Sequence, residues 1–462
     1  MKKFSIMTEK ATFSQVVKNR GFLNLWINQV LVQLSNNALN FALIIWVFRL
    51  TDSNIAVALL LSCIHLPAII LGLFAGVMVD IIDRKKIIMV INLILCFAFF
   101  SLIFLKQSYL AILAITFIVN AAGQFYGPAE ASAIPIVVRK NQLMIANSLF
   151  SATLYSCFLI GFGLAGPLIN YLGINFVFGL GGLCLAVAFL LSLTFPSINV
   201  DADEQDQKML LAFKRRDFLV IYQIAKREII DTLKLIKGRL PVLSSIVILS
   251  GVQVVIGVIA VLAPGFFEKS LQIKATDASY IVVIPLGLGI ITGGVILGKV
   301  GHGLIKRRLV GKAIVFAGLL FLLLGLAPVI SPAIRHFKYP RPLPFFYQPP
   351  LSKMLIVGSF LLGIAMVSIL VPSQTVLQEN TPEKDRGKVF ATLAVSMAVL
   401  SLFPLLISGF LADVFGTHPI FIGIGAIIFL VGLFGLSPNL FFRKKSLPLH
   451  VRQFLGLGHW KD

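Results

Sequence analysis

The stretch "GVMVDIIDRKK", Gly76 to Lys86, holds five charged residues among eleven and lies between two long apolar runs. Upstream is "IAVALLLSCIHLPAIILGLFA"; downstream is "IIMVINLILCFAFFSLIFL". Each run is long enough to cross a hydrocarbon core about 30 Å thick as a helix. The charged stretch then reads as a short loop at a membrane surface, turning one span into the next.

Working outward, the same pattern repeats along the chain. The 462 residues are 58% hydrophobic and only 13% charged, far from the composition of a soluble domain. The apolar runs are continuous rather than alternating, which excludes strands of a barrel and leaves helices, whose backbone polar groups are satisfied internally. Twelve spans are predicted: 22–50, 55–79, 87–105, 109–133, 143–172 and 174–195, then 241–265, 277–300, 311–330, 351–378, 388–415 and 418–440. The fold class is therefore an all-α polytopic membrane protein. Its predicted organisation is a six-helix bundle over 1–195, a central loop over 196–240, a second six-helix bundle over 241–440 and a basic tail over 441–462. The first apolar run is too long for the core of a signal peptide.

The net charge of +21 would suggest nucleic acid in a soluble protein. Here it follows membrane topology. With both termini placed in the cytoplasm, 32 of the 40 Lys and Arg residues fall on the inner side, as the positive-inside rule requires. No nucleic-acid partner is needed. The expected location is the cytoplasmic (inner) membrane.

The two halves resemble each other. A shift of 222 positions carries Gly76 onto Gly298 and Arg84-Lys85-Lys86 onto Lys306-Arg307-Arg308. A shift of 244 carries Pro128 onto Pro372 and Lys140 onto Lys384. The shift grows across the proline-rich stretch "SPAIRHFKYPRPLPFFYQPP", Ser331 to Pro350, which is read as an extended outer loop of the second half alone. In the central loop, Phe218, Ile221, Ile224, Ile229, Leu233 and Ile236 are spaced as the apolar face of a helix lying on the inner membrane surface. Paired six-span halves are a common plan for secondary transporters.

Four stretches resemble the major facilitator superfamily, and within it the bacterial macrolide-efflux and enterobactin-exporter type of drug and siderophore exporter. They are "NRGFLNLWINQVLVQLSNNALNFALIIWVFRLTDS" (19–53), "GVMVDIIDRKK", "GPAEASAIPIVVRKNQLMIANSL" (127–149) and "VLQENTPEKDRGKVFATL" (376–393). The resemblance implies export of an amphipathic organic molecule by alternating access, driven by an ion gradient, expected to be protons, with no cofactor. It implies a working monomer whose partners are the small-molecule substrate and the lipid bilayer. It also implies a gating role for Gly76, Asp80, Asp83, Arg84 and Lys85, with Asp80 meeting the start of span eleven near Gly387 and Arg84 holding its carboxylate. "GFGLAGPLI" (161–169) resembles the span-five signature of antiporters, marking Gly161, Gly166 and Pro167 as a helix-bend motif. Two departures stand out. Ile81 occupies a position usually basic in the wider family, and span four, "FIVNAAGQF" (117–125), lacks the arginine often found there.

Span one carries Gln29, Gln33, Asn36 and Asn40 at helical spacing on one face. Such a stripe avoids lipid. It either lines a translocation path or hydrogen-bonds neighbouring helices. Gln124, Gln253 and Gln374 are further path candidates. Ionisable groups inside the spans are scarce, and His65 and Glu130 are the candidates for proton coupling. Equally, His65 could bond a carbonyl that Pro67 leaves free, and Glu130 could be solvated or paired with Arg139. Asp413, Glu268 and Asp277 fall near outer ends and are expected to be exposed. Cys63, Cys96, Cys157 and Cys184 lie in apolar runs without CxxC spacing, so neither disulfide framework nor metal site is expected. No Walker loop, HExxH or Ser-His-Asp arrangement appears, so enzymatic chemistry lacks its residues. The rival readings are a lysophospholipid flippase on the same fold and a transport-inactive sensor or scaffold.

Overall fold

A computed structural model describes residues 13–195, 239–300, 306–329, 350–382 and 386–436. The amphipathic segment 218–237, the tail 441–462, most of the linker and nearly all of the proline-rich loop fall outside these residues. The described chain is helical, with no strand among the described residues. Twelve helices are long and apolar enough to cross a membrane. They are α1 (Arg20–Thr51), α2 (Asn54–Ile81), α3 (Arg84–Leu105), α4 (Tyr109–Val137), α5 (Leu143–Leu172) and α6 (Ile174–Leu193), then α7 (Leu240–Gly265), α8 (Ile284–Val300), α9 (Lys306–Gly325), α10 (Pro350–Glu379), α11 (Arg386–Phe415) and α12 (Thr417–Leu436). A short helix, Phe13–Val17, precedes them.

The ends of these helices are written in the sequence. Asp83 caps α3, accepting the amide hydrogen of Lys85 at 3.0 Å, and Ser108 caps α4 by accepting from Ala111. Both satisfy donors that a helix start leaves unpaired. Gly173, at φ +80°, separates α5 from α6, and Gly416, at φ +84°, separates α11 from α12. Only glycine adopts this backbone without strain. The two glycines stand within one position of the 244-residue shift, so the internal repeat extends to backbone conformation. The predicted eighth span begins less regularly than expected. Residues Ala275–Asp277 form a 3₁₀ turn and Ser279–Val283 a π-turn before α8 proper.

The helices fall into two compact units, Met1–Leu43 with Leu66–Ile224, and Ile44–His65 with Ala225–Asp462. In the first, α3 packs on α6 and on α4. Gly181 and Gly182 face Phe99 and Phe100, and a Cβ on Gly182 would sit 3.0 Å from the Phe100 ring. Phe22, stacked near Trp26, and Phe150 join α1 to α5.

In the second unit, α9 packs antiparallel on α12 along a glycine seam. Gly311 meets Leu436, Gly318 meets Phe429 and Gly325 meets Ile422, while Gly425 and Gly432 of α12 meet Leu322 and Val315. The seven-residue spacing on both helices keeps one narrow face in register. Small residues let backbones approach closely, which is the main attraction available between helices in lipid. Gly289 of α8 and Gly363 of α10 make a second close crossing. Val242, Ile246, Leu249, Leu377, Val389 and Leu393 bring α7, α10 and α11 together. Large apolar side chains remain on the outside, with Phe104 at 83% and Phe403 at 77% exposure. That is the surface a lipid-facing helix presents and a soluble one avoids.

Candidate functional site

In the first unit a polar network is buried where α1, α3, α4 and α6 meet. Asn28 of α1 is fully buried; its Nδ2 donates to the carbonyl oxygen of Ala188 on α6 at 2.6 Å. Its Oδ1 lies 2.8 Å from the hydroxyl of Tyr126 on α4 and 3.4 Å from Nδ2 of Asn92 on α3. The Tyr126 hydroxyl is in turn 3.0 Å from Oε1 of Glu130, one helical turn further along α4. Glu130 is 5% exposed. The expectation that it is solvated or paired with Arg139 is corrected: Arg139 follows the end of α4 and is exposed, and the hydrogen-bond partner seen for Glu130 is Tyr126. His65 is half-buried and shows no hydrogen bond among the described residues.

The stripe on α1 divides. Gln29 is buried and donates to the Phe150 carbonyl of α5 at 3.3 Å, so it ties helices together. Gln33, Asn36 and Asn40 are half-buried, and the Asn36 side-chain oxygen has no hydrogen-bond partner among the described residues. On α5, Phe158 and Phe162 lie 4.6 Å apart, and Phe41 of α1 meets Phe162 edge-on at 5.7 Å. Gln124 is half-buried and donates weakly to the Asn120 carbonyl at 3.4 Å; its Oε1 is the atom a Cβ on Gly72 of α2 would meet. Gln253 and Gln374 are half-buried in the second unit, on α7 and α10.

Asn28, Asn92 and Tyr126 escaped the sequence reading. One signal was available. Asn24, Asn28 and Ser35 form a second polar face on α1, and all three bond α6 or its end: Asn24 to Thr194, Asn28 to Ala188 and Ser35 to Gly181.

Gly161 is a close-packing point. A Cβ there would lie 2.7 Å from Cβ of Asn37 and 3.2 Å from the Leu34 carbonyl of α1. Gly166 and Pro167 stand further along α5, Gly166 buried. In the charged loop, Arg84 is 3% exposed and its Nε donates to Ser132 of α4 at 3.1 Å. Lys85 donates to the Leu193 carbonyl at the end of α6, at 2.8 Å, where unpaired acceptors and the helix dipole favour a cation. The side chains of Val77 and Asp80 lie outside the described set. The expected meeting of Asp80 with α11 therefore falls outside it too.

In the second unit Asp413, at the end of α11, accepts from Ser53 Oγ, Asn54 N, Asn54 Nδ2 and Ile55 N at 2.6 to 3.0 Å. It is surface-exposed, as expected, but engaged. Glu268 is half-buried and pairs with Arg49 at 3.2 Å, and Lys269 pairs with Asp52 at 2.9 Å. Among the described residues no group of His, Cys, Asp and Glu could hold a metal, and the four cysteines are free.

The model of the Major Facilitator Superfamily matches residues 25–336 and 342–456. The chain belongs to that superfamily. It is a multi-pass membrane transporter of the family. It is 24% identical over 431 residues to the uncharacterized MFS-type transporter YjbB of Bacillus subtilis (strain 168), covering 92% of this chain and 96% of that protein. A second relative from the same organism, the uncharacterized MFS-type transporter YfiS, is 23% identical over 391 residues, or 84% of this chain and 86% of that one. Among solved structures, a POT family transporter in complex with 5-aminolevulinic acid superposes with a TM-score of 0.66 at 11% identity, covering 94% of this chain and all of that one. The nucleoside transporter NupG superposes with a TM-score of 0.62 at 12% identity, covering 91% and 99%. These structural likenesses concern the fold.

Proposed function

We propose that this transporter exports an amphipathic organic molecule across the cytoplasmic membrane by alternating access, driven by protons through Glu130. The observation that carries the reading is the burial of Glu130 within a polar network inside a spanning helix. An ionisable residue buried inside a spanning helix is costly and is a functional-site candidate by default. The amides Gln33, Asn36 and Asn40 of α1 supply hydrogen-bonding groups and the Phe41, Phe158 and Phe162 rings of α1 and α5 supply apolar surface, with no fixed charge among them. That mixture suits a molecule with apolar bulk and a few polar groups. A phosphate or sulfate would call for Arg or Lys. The unpartnered oxygen of Asn36 is a ready acceptor for such a ligand. The excess of basic residues in the loops read as inner supports a cytoplasmic position for both termini.

The test is transport by purified protein in proteoliposomes under an imposed proton gradient, with a panel of cationic, neutral and zwitterionic amphipaths and, separately, a labelled lysophospholipid. Gradient-dependent movement of an amphipath, abolished in Glu130→Gln, supports the reading. Movement of the lipid alone would replace it with flipping. Equal transport in wild type and Glu130→Gln would remove Glu130 from coupling.

A further inference from the structure

The network around Glu130 can be read by counting hydrogens. The Asn28 amide orientation is fixed, because its Nδ2 lies 2.6 Å from the Ala188 carbonyl, which only accepts. Asn28 Oδ1 is then an acceptor, and so the 2.8 Å contact to Tyr126 needs the phenolic hydrogen. A phenol has one. The second oxygen–oxygen contact of Tyr126, 3.0 Å to Glu130 Oε1, therefore draws its hydrogen from the carboxyl group. We infer that Glu130 holds a proton in this conformation and that Tyr126 reports it to Asn28 of α1.

The consequence is a relay. When Glu130 gives up its proton, the carboxylate takes the phenolic hydrogen for itself. Asn28 Oδ1 keeps the longer bond from Asn92 and faces the Tyr126 oxygen with no hydrogen between them. Two bare oxygens at that separation repel, so α1 and α4 move apart at this point or Tyr126 turns. Tyr126 is thus a positioning residue between the proton on Glu130 and the helix that carries Gln33, Asn36 and Asn40. The charged groups on the packed elements are few. Arg84, Lys85 and Lys86 stand at the start of α3, with Arg84 on Ser132. Arg20 begins α1 and Arg49 stands in its last turn, His65 and Asp80 lie on α2, and neither α5 nor α6 carries a charge. Asn28 and Asn92, the α1 and α3 residues in the network itself, are neutral.

The inference deepens the proton-coupled reading and is tested without transport. Infrared difference spectra of the purified full chain, recorded across a pH titration, read the C=O stretch of a neutral carboxylic acid. The expected result is a band that is lost in Glu130→Gln and shifted in Tyr126→Phe, where its hydrogen-bond acceptor is gone. Labelling wild type with [¹³C]glutamate should shift the same band, which needs no variant to fold. In Asn28→Ala the phenolic hydrogen is free for the carboxylate, so the band should weaken relative to wild type at equal pH. Identical spectra in wild type and Glu130→Gln would overturn the inference, as would a band indifferent to both Tyr126→Phe and Asn28→Ala. A missing band refutes the protonated state alone; the proteoliposome assay judges the transport reading separately.

Discussion

Asp413 caps α2 through Asn54, from 359 residues away in sequence. Its Oδ1 accepts from the Asn54 backbone N–H at 2.7 Å and from the Asn54 amide at 2.8 Å. Its Oδ2 accepts from Ser53 and Ile55. The first amides of a helix lack internal partners and the dipole there attracts negative charge, so one carboxylate serves both demands. Glycines clear the space, since a Cβ on Gly409 would lie 2.9 Å from the Asn54 carbonyl and one on Gly265 2.7 Å from Asn54 Oδ1.

Asp413→Ala removes this cap, at a cost of about 1 kcal/mol, enough to change an equilibrium roughly fivefold. A cysteine replacing the buried Ala56, in a background without the four native cysteines, should react several-fold faster with a membrane-impermeant maleimide in the variant. Equal labelling rates would mean that the cap is ornamental to the conformational equilibrium.

The neighbouring ion pair behaves differently. Lys269 and Asp52 are 49% and 74% exposed at the side chain, and pairs of this kind contribute about 0–1 kcal/mol in water. Lys269→Ala should leave Tm and labelling at position 56 close to wild type. A large effect would show that this pair, and not the Asp413 cap, holds the region.

Much of this fold was legible in the sequence because each span must satisfy its own backbone, so length and composition alone mark it. Gly173 and Gly416 kept the repeat visible to the level of φ. The irregular start of α8 was not legible, since apolar content at 275–283 is the same for α, 3₁₀ and π geometry. The site was read in part. Glu130 stands out from its surroundings as a charge in an apolar run. Tyr126 and Asn28 do not, because spacing along one helix says which residues share a face and not which helix that face meets. The stripe on α1 shows the same limit. Among the described residues Gln29 bonds α5 and its companions do not, although all four share one spacing.

That division makes a prediction. Gln29→Leu leaves the Phe150 carbonyl without its donor, at a cost of about 1–3 kcal/mol for a buried group, and should lower Tm. Gln33→Leu or Asn36→Leu should reduce transport with Tm near wild type. If Asn36→Leu falls in stability as far as Gln29→Leu, the whole stripe is a packing feature and the substrate assignment fails.

Gly161 offers a packing test of α1 against α5. Its added methyl would press on Asn37 and the Leu34 backbone, and overpacking of this kind costs about 1–3 kcal/mol. Gly161→Ala should lower Tm measurably, whereas Gly179→Ala, with nothing within 4 Å of the new atom, should not. Equal Tm values for the two would contradict the close approach.

The charged loop that opened the reading separates into residues with different tasks. Arg84 is buried against Ser132 of α4, and Lys85 closes the end of α6. Asp83 caps α3. All three therefore hold the first unit together, and Arg84→Ala should cost stability along with transport. This makes Arg84 a poor probe of gating, contrary to what its place in the motif suggests. Asp80→Asn is the cleaner probe, because the change keeps size and removes a charge, and Asp80 is the acidic residue that the family resemblance marks for gating. If Asp80 biases alternating access by 1–3 kcal/mol, its loss changes populations roughly 5- to 150-fold. The expected outcome is impaired transport, retained substrate binding, an unchanged Tm and faster labelling of a cysteine introduced at Val389 on α11. Transport and labelling both at wild-type levels would reduce Asp80 to a bystander in a loop whose basic residues set topology and whose Asp83 and Arg84 build the bundle.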